Sequence, residues 1–518
     1  MMCGFLSPDP NAAREAVLEL GVGGVIYFSR NLGTLAEVRA LSAALQSMAQ
    51  TSSAQWPLFI ATDQEGGPVS RLSKDVPRWP PAMALSAASL GLGDTGFTQQ
   101  IYYALGRELA AAGINVNFAP VLDVNDTPEN PVIGVRSFGD DAQWVGALGQ
   151  AAVQGLTEAG VMAVGKHFPG HGHAKEDSHA VLPRVERDKE ALSRIELEPF
   201  RRSVSSGIAG LMTAHVVYPA LDPDRPATLS PAIIQGVLRD TLQFGGLVFT
   251  DCMEMSAIAK GVGTASGAVL ALRAGADMVL ISHGAAVQQA THAAICEALA
   301  SGELPMQRID EALGRIAAAK ARWCAGAEQP LTATERDAFA RLRENAYGAA
   351  VTVVHDVQAL LPLPDCLGVK LVAARDDVVL HNARENLGRL LQIGDGPPTQ
   401  GECHTAVVLV RGLATDAVQA VTVREIARRF LCTIVVAVGA PYDLAAAPPH
   451  TTHVCTYSTE LQALAALAKL LSGQQRAVGK LPIRQQHLSG NHGVRGPGNL
   501  RQSVVQPMIS IVGHYPKG

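Results

Sequence analysis

A segment of fourteen residues at 166–179, with the sequence KHFPGHGHAKEDSH, combines side chains that can move protons. It holds four histidines, two carboxylates and two lysines, together with two glycines and a proline. No helical or strand periodicity runs through the segment, which therefore predicts a loop. Histidine titrates near neutral pH, and loops on a rigid scaffold commonly carry catalytic residues. The segment is therefore a candidate active site.

Asp177 and His179 are the pair in this segment that best suits acid–base chemistry. A carboxylate bonded to an imidazole fixes the tautomer of the ring and stabilises its protonated form, as in hydrolase triads. An exposed loop with incidental polar residues is the alternative for this pair. The histidines also permit a metal site, because imidazole nitrogens and carboxylate oxygens are common metal ligands. Their spacing matches no zinc motif such as His-Glu-x-x-His, which argues against that alternative.

Further carboxylates and arginines lie at or soon after the ends of short apolar runs elsewhere in the chain. Asp251 follows the run 247–250 and is compatible with a nucleophile, a metal ligand or the N-cap of a helix. Asp63 precedes Gln-Glu-Gly-Gly, and its carboxylate could accept hydrogen bonds from sugar hydroxyls. Arg71 and Arg136 are each compatible with a substrate contact or with a structural ion pair. The sequence alone leaves these alternatives open.

Eight apolar runs in the first 325 residues alternate with amphipathic stretches. Such strand–helix alternation is typical of a (β/α)8 barrel of the TIM type. Polar residues follow the third to the eighth run, as expected where a barrel builds its active site at the carboxyl ends of its strands. A doubly wound open sheet is the alternative. The runs lie at 2–5, 22–28, 58–62, 116–120, 161–165, 210–214, 247–250 and 277–282.

A second α/β pattern begins near residue 345 and predicts a smaller C-terminal α/β sandwich domain. Strands are predicted at 350–355, 369–373, 405–410 and 433–438, and helices at 415–430 and 460–471. The predicted division is a catalytic barrel at 1–325, a linker at 326–344 and a second domain at 345–518. The tail from His487 is rich in glycine and asparagine, which predicts an extended or poorly packed end.

The composition argues against several classes of function. Hydrophobic residues make up 47% of the chain and charged residues 17%, which indicates a compact globular protein. The net charge of −5 and the lack of a basic block argue against a nucleic-acid partner. The eight cysteines form no Cys-x-x-Cys pair, which argues against a zinc cluster. No apolar run is long enough to span a membrane and no signal peptide is recognisable, so a cytoplasmic location is expected.

The candidate residues lie in motifs that together resemble glycoside hydrolase family 3, and within it the bacterial β-N-acetylglucosaminidases. The segment 166–179 matches the pattern K-H-F-P-G-H-G-x4-D-S-H of that subgroup throughout. Further segments agree, namely ATDQEGG at 61–67, NFAPVLDV at 117–124, RSFG at 136–139, VFTD at 248–251 and AGADMVL at 274–280. In the second domain, LPLP at 361–364, APYD at 440–443 and GKLP at 479–482 resemble landmarks of the family.

The resemblance implies a role for each candidate residue. Asp251 corresponds to the catalytic nucleophile, and His179 corresponds to the acid/base, oriented by Asp177. The family uses no metal, and neither a metal nor a cofactor is expected. The glycines of the segment suggest that His179 arrives when the loop closes over the substrate. The remaining candidates correspond to residues that bind N-acetylglucosamine in the −1 subsite: Asp63, Arg71, Arg136, Lys166 and His167.

The resemblance also implies an activity, that of a retaining exo-β-N-acetylglucosaminidase. The expected substrates are chitooligosaccharides or peptidoglycan fragments (muropeptides), with peptidoglycan recycling as one setting. The alternatives are a β-glucosidase-type exo-glycosidase, an N-acetylglucosaminide phosphorylase, a metal-dependent hydrolase and a non-catalytic carbohydrate-binding protein. Neither a nucleic acid nor a membrane is an expected partner, and a monomer is expected. Family members usually have a helix ahead of the first strand, which leaves open a start upstream of Met1.

Overall fold

The computed structural model of the protein describes residues 1–72, 74–178, 180–326, 329–357, 359–363, 368–393 and 404–488. Its first part contains eight strands: β1 (Met2–Gly4), β2 (Gly24–Tyr27), β3 (Phe59–Thr62), β4 (Val116–Asn117), β5 (Met162–Phe168), β6 (Gly210–Thr213), β7 (Leu247–Cys252) and β8 (Met278–Ile281). All are parallel, and β1 pairs with both β2 and β8, which closes the sheet into a barrel. The predicted (β/α)8 barrel is confirmed, and the open-sheet alternative is wrong.

The barrel strands are short and buried, which explains why most of them appear as nearly continuous apolar runs in the sequence. Inward side chains, among them Phe59, Phe118 and Phe249, fill the interior of the barrel. The rings of Phe118 and Phe249 meet edge to face with their centroids 5.5 Å apart. Because the interior is filled with side chains, a ligand must bind at one end of the barrel.

Helices cover the outside of the barrel and connect most of its strands. The first begins at a capping box, in which Thr34 and Glu37 each bond the backbone amide of the other. A π-helical segment, Ala232–Thr241, and a small antiparallel hairpin of Val217–Tyr218 with Asp222–Pro226 complete the connections. The helices are α1 (Leu35–Gln50), α2 (Ala82–Leu92), α3 (Gly96–Ala111), α4 (Ala142–Glu158), α5 (Lys189–Arg194), α6 (Leu197–Ser205), α7 (Ser256–Ala259), α8 (Thr264–Ala274), α9 (Ala285–Ser301) and α10 (Met306–Trp323).

A separate α/β domain follows the barrel, as predicted. Its strands are β9 (Thr352–His355), β10 (Val369–Ala373), β11 (Thr405–Val410), β12 (Cys432–Ala437) and β13 (Thr452–Cys455). They form one sheet in the order β9–β13–β12–β11–β10, with only β9 antiparallel to its neighbour among the described strands. Its helices are α11 (Ala333–Ala350), α12 (Val378–Leu391), α13 (Ala417–Arg429) and α14 (Leu461–Leu471).

The sheet of the second domain packs on both faces because its strand residues alternate between them. On β11, Val407 and Leu409 join a cluster with residues of α12 and α14. Their neighbours Val408 and Val410 join a cluster that includes Met83 of the barrel helix α2. One face of the sheet therefore packs against the barrel, and the other carries helices of its own domain. Within the described residues, no helix is long and apolar enough to cross a membrane.

Several elements differ from the sequence-based expectations. Strand β13 and helix α12 were not predicted, and α11 crosses the proposed boundary between the linker at 326–344 and the second domain. The domain limits themselves stay a prediction. Residues 166–168 were predicted to start a loop, but they complete the buried strand β5. The described part of the tail ends at Leu488, so the rest of the predicted extended end lies outside the described residues.

Candidate active site

A cavity of about 410 Å³ opens at the carboxyl ends of the barrel strands. This is the end at which parallel barrels carry their active sites, because the loops that follow the strands converge there. The structure brings six of the predicted site residues together in its lining, although they are far apart in the sequence. These residues are Asp63, Arg71, Arg136, Lys166, His167 and Asp251.

Lys166 and Arg136 are joined through the carboxylates of Asp63 and Glu65. Lys166 Nζ lies 2.7 Å from Asp63 Oδ1 and 2.6 Å from Glu65 Oε1. Arg136 donates from Nε and Nη2 to the two oxygens of Glu65, at 2.8 Å each. The four side chains thus alternate in charge along one side of the cavity. Arg136 both lines the cavity and forms an ion pair, so the two interpretations that its sequence left open are not exclusive.

The charges in this row are fixed by their neighbours. Burial alone would raise the pKa of Glu65, but the positive charges and hydrogen bonds of Arg136 and Lys166 hold that pKa well below its usual range. Burial would likewise lower the pKa of Lys166, and the carboxylates of Asp63 and Glu65 raise it instead. Glu65 and Lys166 are therefore both charged at neutral pH. They present rigid polar groups to a ligand without needing to reorganise.

A second carboxylate, Asp123, holds the backbone and the ring of the histidine segment. Asp123 is fully buried and lies 2.7 Å from His167 Nδ1. It also accepts hydrogen bonds from the backbone amides of His167 and His171, at 3.1 and 2.7 Å. Burial would raise the pKa of Asp123, but its histidine partners lower it, so the carboxylate is an ionised acceptor. His167 Nδ1 must then carry a proton, which leaves Nε2 as the ring nitrogen available to the cavity.

Asp251 lies near the carboxyl end of β7 and lines the cavity. Its Oδ1 accepts a hydrogen bond from the backbone amide of Cys252 at 2.7 Å. Burial would raise its pKa, but the nearby His167 and His215 lower it, so that Asp251 is an anion at neutral pH. The N-cap alternative is wrong, because α7 begins later and has Met255 at its N-cap.

Arg71 lines the same cavity and lies beside the ring of Phe28. Its guanidinium carbon is 5.9 Å from the centre of the Phe28 ring, which also lines the cavity. Its Nε is buried and has no hydrogen-bond partner among the described residues. A buried donor without a partner is costly, so a ligand in the cavity would satisfy Arg71 directly or through a water molecule.

The outer part of the histidine segment is more exposed than its beginning. Asp177 is half-buried, and its backbone carbonyl accepts hydrogen bonds from the amides of Ala180 and Val181, at 3.0 Å each. Ser178 lines the cavity and its Oγ lies 3.1 Å from His171 Nε2. His179, the predicted acid/base, lies outside the described residues. Ser178, which precedes it in the sequence, lines the cavity.

Three functional residues were not identified from the sequence. Asp123 was only one of the polar residues that follow the apolar runs, Glu65 was visible only as a member of a motif, and nothing in the sequence indicated that they hold Arg136, Lys166 and His167. The third is Glu254, which lines the cavity and accepts hydrogen bonds from three consecutive backbone amides after β8, those of residues 282–284. These three hydrogen bonds hold the loop in which His283 lines the cavity.

His173 faces away from the cavity and joins a cluster of charged residues behind the segment. Its Nδ1 lies 2.8 Å from Asp126 Oδ1, and Arg187 bonds both Asp126 and Glu196. This contact gives His173 a structural place that the sequence had left unassigned. Within the described part of the chain, no group of three or more histidine, cysteine or carboxylate side chains could hold a metal ion.

Comparison with known proteins shows which family this chain is similar to. The model of the glycosyl hydrolase family 3 N terminal domain matches residues 6–319. The Beta-hexosaminidase of Nitrosomonas eutropha is 40% identical over 262 residues, which are 50% of this chain and 73% of that protein. Beta-hexosaminidase A of Pseudoalteromonas piscicida is 36% identical over 332 residues, or 60% of this chain, and the match spans 55% of its length.

A solved structure is similar over nearly the whole chain. It is that of a glycoside hydrolase family 3 beta-N-acetylglucosaminidase from Paenibacillus sp. str. FPU-7, which is 38% identical to this chain. The two superpose with a TM-score of 0.84, covering 93% of this chain and 97% of the other. The similarity therefore extends through the second domain as well as the barrel.

Proposed function

Because this chain belongs to glycosyl hydrolase family 3, we propose that it is a retaining exo-β-N-acetylglucosaminidase. One observation carries the proposal: an ionised carboxylate, Asp251, lines the same cavity as a row of paired charges. The names of its relatives, beta-hexosaminidase and beta-N-acetylglucosaminidase, support an N-acetylhexosamine as the sugar.

In the proposed reaction, Asp251 attacks the anomeric carbon while His179 protonates the glycosidic oxygen. The bond from the anomeric carbon to that oxygen breaks, and its electron pair leaves with the aglycone, so that a covalent glycosyl-enzyme forms. His179 then removes a proton from water, which attacks the anomeric carbon; the bond to the Asp251 oxygen breaks, its electron pair returns to the carboxylate, and the sugar is released with net retention. Asp177 supports the charged form of His179. The roles of Asp177 and His179 rest on the motif at 166–179.

The paired charges suit a polyhydroxylated ring. Asp63, Glu65 and the Nε2 atom of His167 can accept hydrogen bonds from sugar hydroxyls, whereas Lys166 and Arg136 can donate them. Because each charge is already neutralised by a neighbour, a neutral sugar can bind without burying an unpaired charge. The same ion pairs fix each donor and acceptor, which favours a ring in one orientation.

The closed floor of the cavity supports release of terminal sugars. Phe118 and Met212 line the cavity and also belong to the filled interior of the barrel. An oligosaccharide therefore cannot pass through the barrel, and we propose that the sugar that reaches Asp251 is at a chain end. We propose chitooligosaccharides or peptidoglycan fragments as substrates, since both present a non-reducing N-acetylglucosamine.

The first test compares the hydrolysis of an aryl β-N-acetylglucosaminide and an aryl β-glucoside by the full chain. We expect the N-acetylglucosaminide to be preferred and the β-anomer to be released first, as followed by NMR. Asp251→Asn should abolish turnover. Asp240→Asn, which changes an exposed aspartate just before β7, serves as the matched control and should leave turnover unchanged.

Each alternative predicts a different result in the same assay. A preference for the glucoside would favour a β-glucosidase-type enzyme, and a sugar 1-phosphate formed in phosphate buffer would favour a phosphorylase. The phosphorylase alternative has a physical reason, because a neutral histidine base repels an anionic acceptor less than a carboxylate does. Activity lost in a chelator would favour a metal-dependent hydrolase, and no activity at all would favour a carbohydrate-binding protein.

A further inference from the structure

The second domain touches the barrel at both ends of one active-site loop. This loop, 118–141, connects β4 with α4 and carries Asp123 and Arg136. Near its beginning, the buried Tyr442 of the second domain donates its hydroxyl proton to the backbone carbonyl of Asn125. The same hydroxyl accepts a hydrogen bond from Asn125 Nδ2 at 3.1 Å.

The other end of the loop is held by a second part of the same domain. The backbone amide of Arg484 donates to Asp140 Oδ2 at 2.9 Å, and His487 Nε2 lies 3.1 Å from the same oxygen. Gly139 packs so closely that a Cβ atom at this position would lie 2.2 Å from the backbone carbonyl oxygen of Pro482. Two segments of the second domain therefore contact this loop, one near each of its ends.

The contact with Tyr442 lies next to the residues that hold the histidine segment. Asp126 follows Asn125 directly and bonds His173, and Thr127 Oγ1 also lies 2.8 Å from His173 Nδ1. Further along the loop, Asn130 Nδ2 donates to the backbone carbonyl of His171 at 2.9 Å. A shift of Asn125 would therefore be transmitted to the segment that continues into Asp177 and His179.

In contrast, the second domain makes no direct contribution to the cavity among the described residues, because every residue that lines it belongs to the barrel. We infer that Tyr442 is a positioning residue, through which the second domain orients the acid/base segment by way of Asn125 and Asp126. This inference rests on the proposed function, since it assigns the segment a role in protonating the leaving group.

If Tyr442 only stabilised the contact between the two domains, its substitution would lower kcat/KM equally for all substrates. A residue that positions the acid should instead matter most when the leaving group needs a proton. The comparison therefore uses two substrates with the same sugar: a 2,4-dinitrophenyl N-acetylglucosaminide, whose leaving group departs as an anion, and N,N′-diacetylchitobiose, whose leaving group needs a proton. The value of kcat/KM reports the first bond cleavage for both.

We expect Tyr442→Phe, made in the full chain, to lower kcat/KM for diacetylchitobiose roughly tenfold, because small misplacements of catalytic groups are costly. The value for the dinitrophenyl substrate should change less than about twofold. The matched control is Tyr457→Phe, which removes another buried tyrosine hydroxyl of the same domain, bonded to Thr352 Oγ1 at 2.9 Å and away from the loop. This control should leave both values unchanged.

An equal loss with both substrates, or an equal loss in Tyr457→Phe, would overturn the inference. If Tyr442→Phe folds poorly, Asn125→Ala gives a second test, and its loss should show the same dependence on the leaving group. Together the two substitutions should cost less than the sum of the two single losses, since both remove the hydrogen bond between Asn125 Nδ2 and the Tyr442 hydroxyl. Failure of the proposed function is a separate result, because it appears in the unmodified protein as a lack of Asp251-dependent hydrolysis of either substrate.

Discussion

The two halves of the histidine segment differ in how firmly the protein holds them. In the first half, 166–172, Lys166, His167 and His171 are each less than a tenth exposed. Asp123 bonds two backbone amides and one ring of this half, and the Tyr218 hydroxyl donates to the carbonyl of Gly170 at 2.7 Å. This half is therefore part of the barrel core.

The second half, 173–178, is more exposed. His173 bonds the charged cluster around Asp126, and the Ser178 hydroxyl forms a hydrogen bond with the ring of His171. Lys175 and Glu176, between these two contacts, are exposed. Lys166 and His167, which we propose to help hold the sugar, thus lie in the buried half. Asp177, which we propose to support the proton transfer, lies in the more exposed half.

The glycines of the segment belong to the rigid half, which changes their interpretation. A Cβ atom on Gly172 would lie 2.0 Å from the carbonyl oxygen of Val124, and one on Gly170 would lie 2.8 Å from Cβ of Glu196. Both glycines are thus explained by close packing. Closure of the loop over a substrate, which the glycines suggested, stays a prediction and would have to occur beyond Gly172.

The largest expected effect is that of removing the anchor of the rigid half. Asp123→Ala leaves His167 and two backbone amides without their buried acceptor, so we expect a loss of about 3–5 kcal/mol in the free energy of unfolding. Activity should fall as well, because His167 loses its orientation. Denaturant unfolding and turnover measured on the same samples would test both.

Asp141 provides a control for this substitution at the far end of the same loop. It is exposed and caps α4 by accepting a hydrogen bond from the amide of Trp144 at 2.9 Å. Asp141→Ala should cost about 1 kcal/mol and leave activity unchanged. If Asp123→Ala were no less stable than Asp141→Ala, the first half would not be anchored as described.

The next substitution lies in the second half and should lower activity while changing the free energy of unfolding little. Asp177→Asn keeps the size of a half-buried side chain but removes its charge, so stability should change by less than about 1 kcal/mol. If Asp177 supports the acid/base, kcat/KM for a substrate with a poor leaving group should fall about 10²–10⁴-fold. Glu176→Gln, an exposed neighbouring carboxylate, should change neither quantity, and a similar fall in that variant would contradict the role of Asp177.

These contrasts also show which features could be predicted from the sequence. The barrel was predictable because buried parallel strands require apolar runs, and these recur eight times. The candidates at the strand ends were predictable because such residues converge in a barrel. The pairing of Glu65 with Arg136 and Lys166 was not, because contacts between residues on different strands and loops depend on the closed geometry.

In the second domain, some missed elements had recognisable signals. Helix α11 begins at a capping box of Thr332 and Glu335, and α12 begins at Asp377, whose side chain accepts from the amides of Val379 and Leu380. Both are typical helix starts. Strand β13 is only four residues long and contains Thr452 and His453, so its burial depends on the neighbouring strands and not on its own pattern.

A smaller effect should appear in the dependence of stability on pH. Burial, with a further contribution from His167, lowers the pKa of His171 to about 4 in the folded state. The unfolded chain binds this proton near pH 6.5, so the folded state loses stability as pH falls from about 6.5 to 4, by about 1.4 kcal/mol per pH unit. In His171→Gln, the midpoint of thermal unfolding should depend less on pH in that range. His450→Gln, at an exposed histidine of the second domain, should not.

The smallest expected effect concerns the link between the two halves. Ser178→Ala removes the hydrogen bond to His171 Nε2, whose ring already has a buried Nδ1 without a partner among the described residues. The loss should be about 1 kcal/mol in stability, since one partner of a buried polar group is removed. Ser178→Thr keeps the hydroxyl and should retain most of the stability that Ser178→Ala loses. Activity is the more informative measurement: if the second half is positioned mainly by His173, Ser178→Ala should lower kcat/KM only a few-fold. A loss as large as that of Asp177→Asn would instead mean that Ser178 holds the acid/base segment in place, and the second half would then be as firmly anchored as the first.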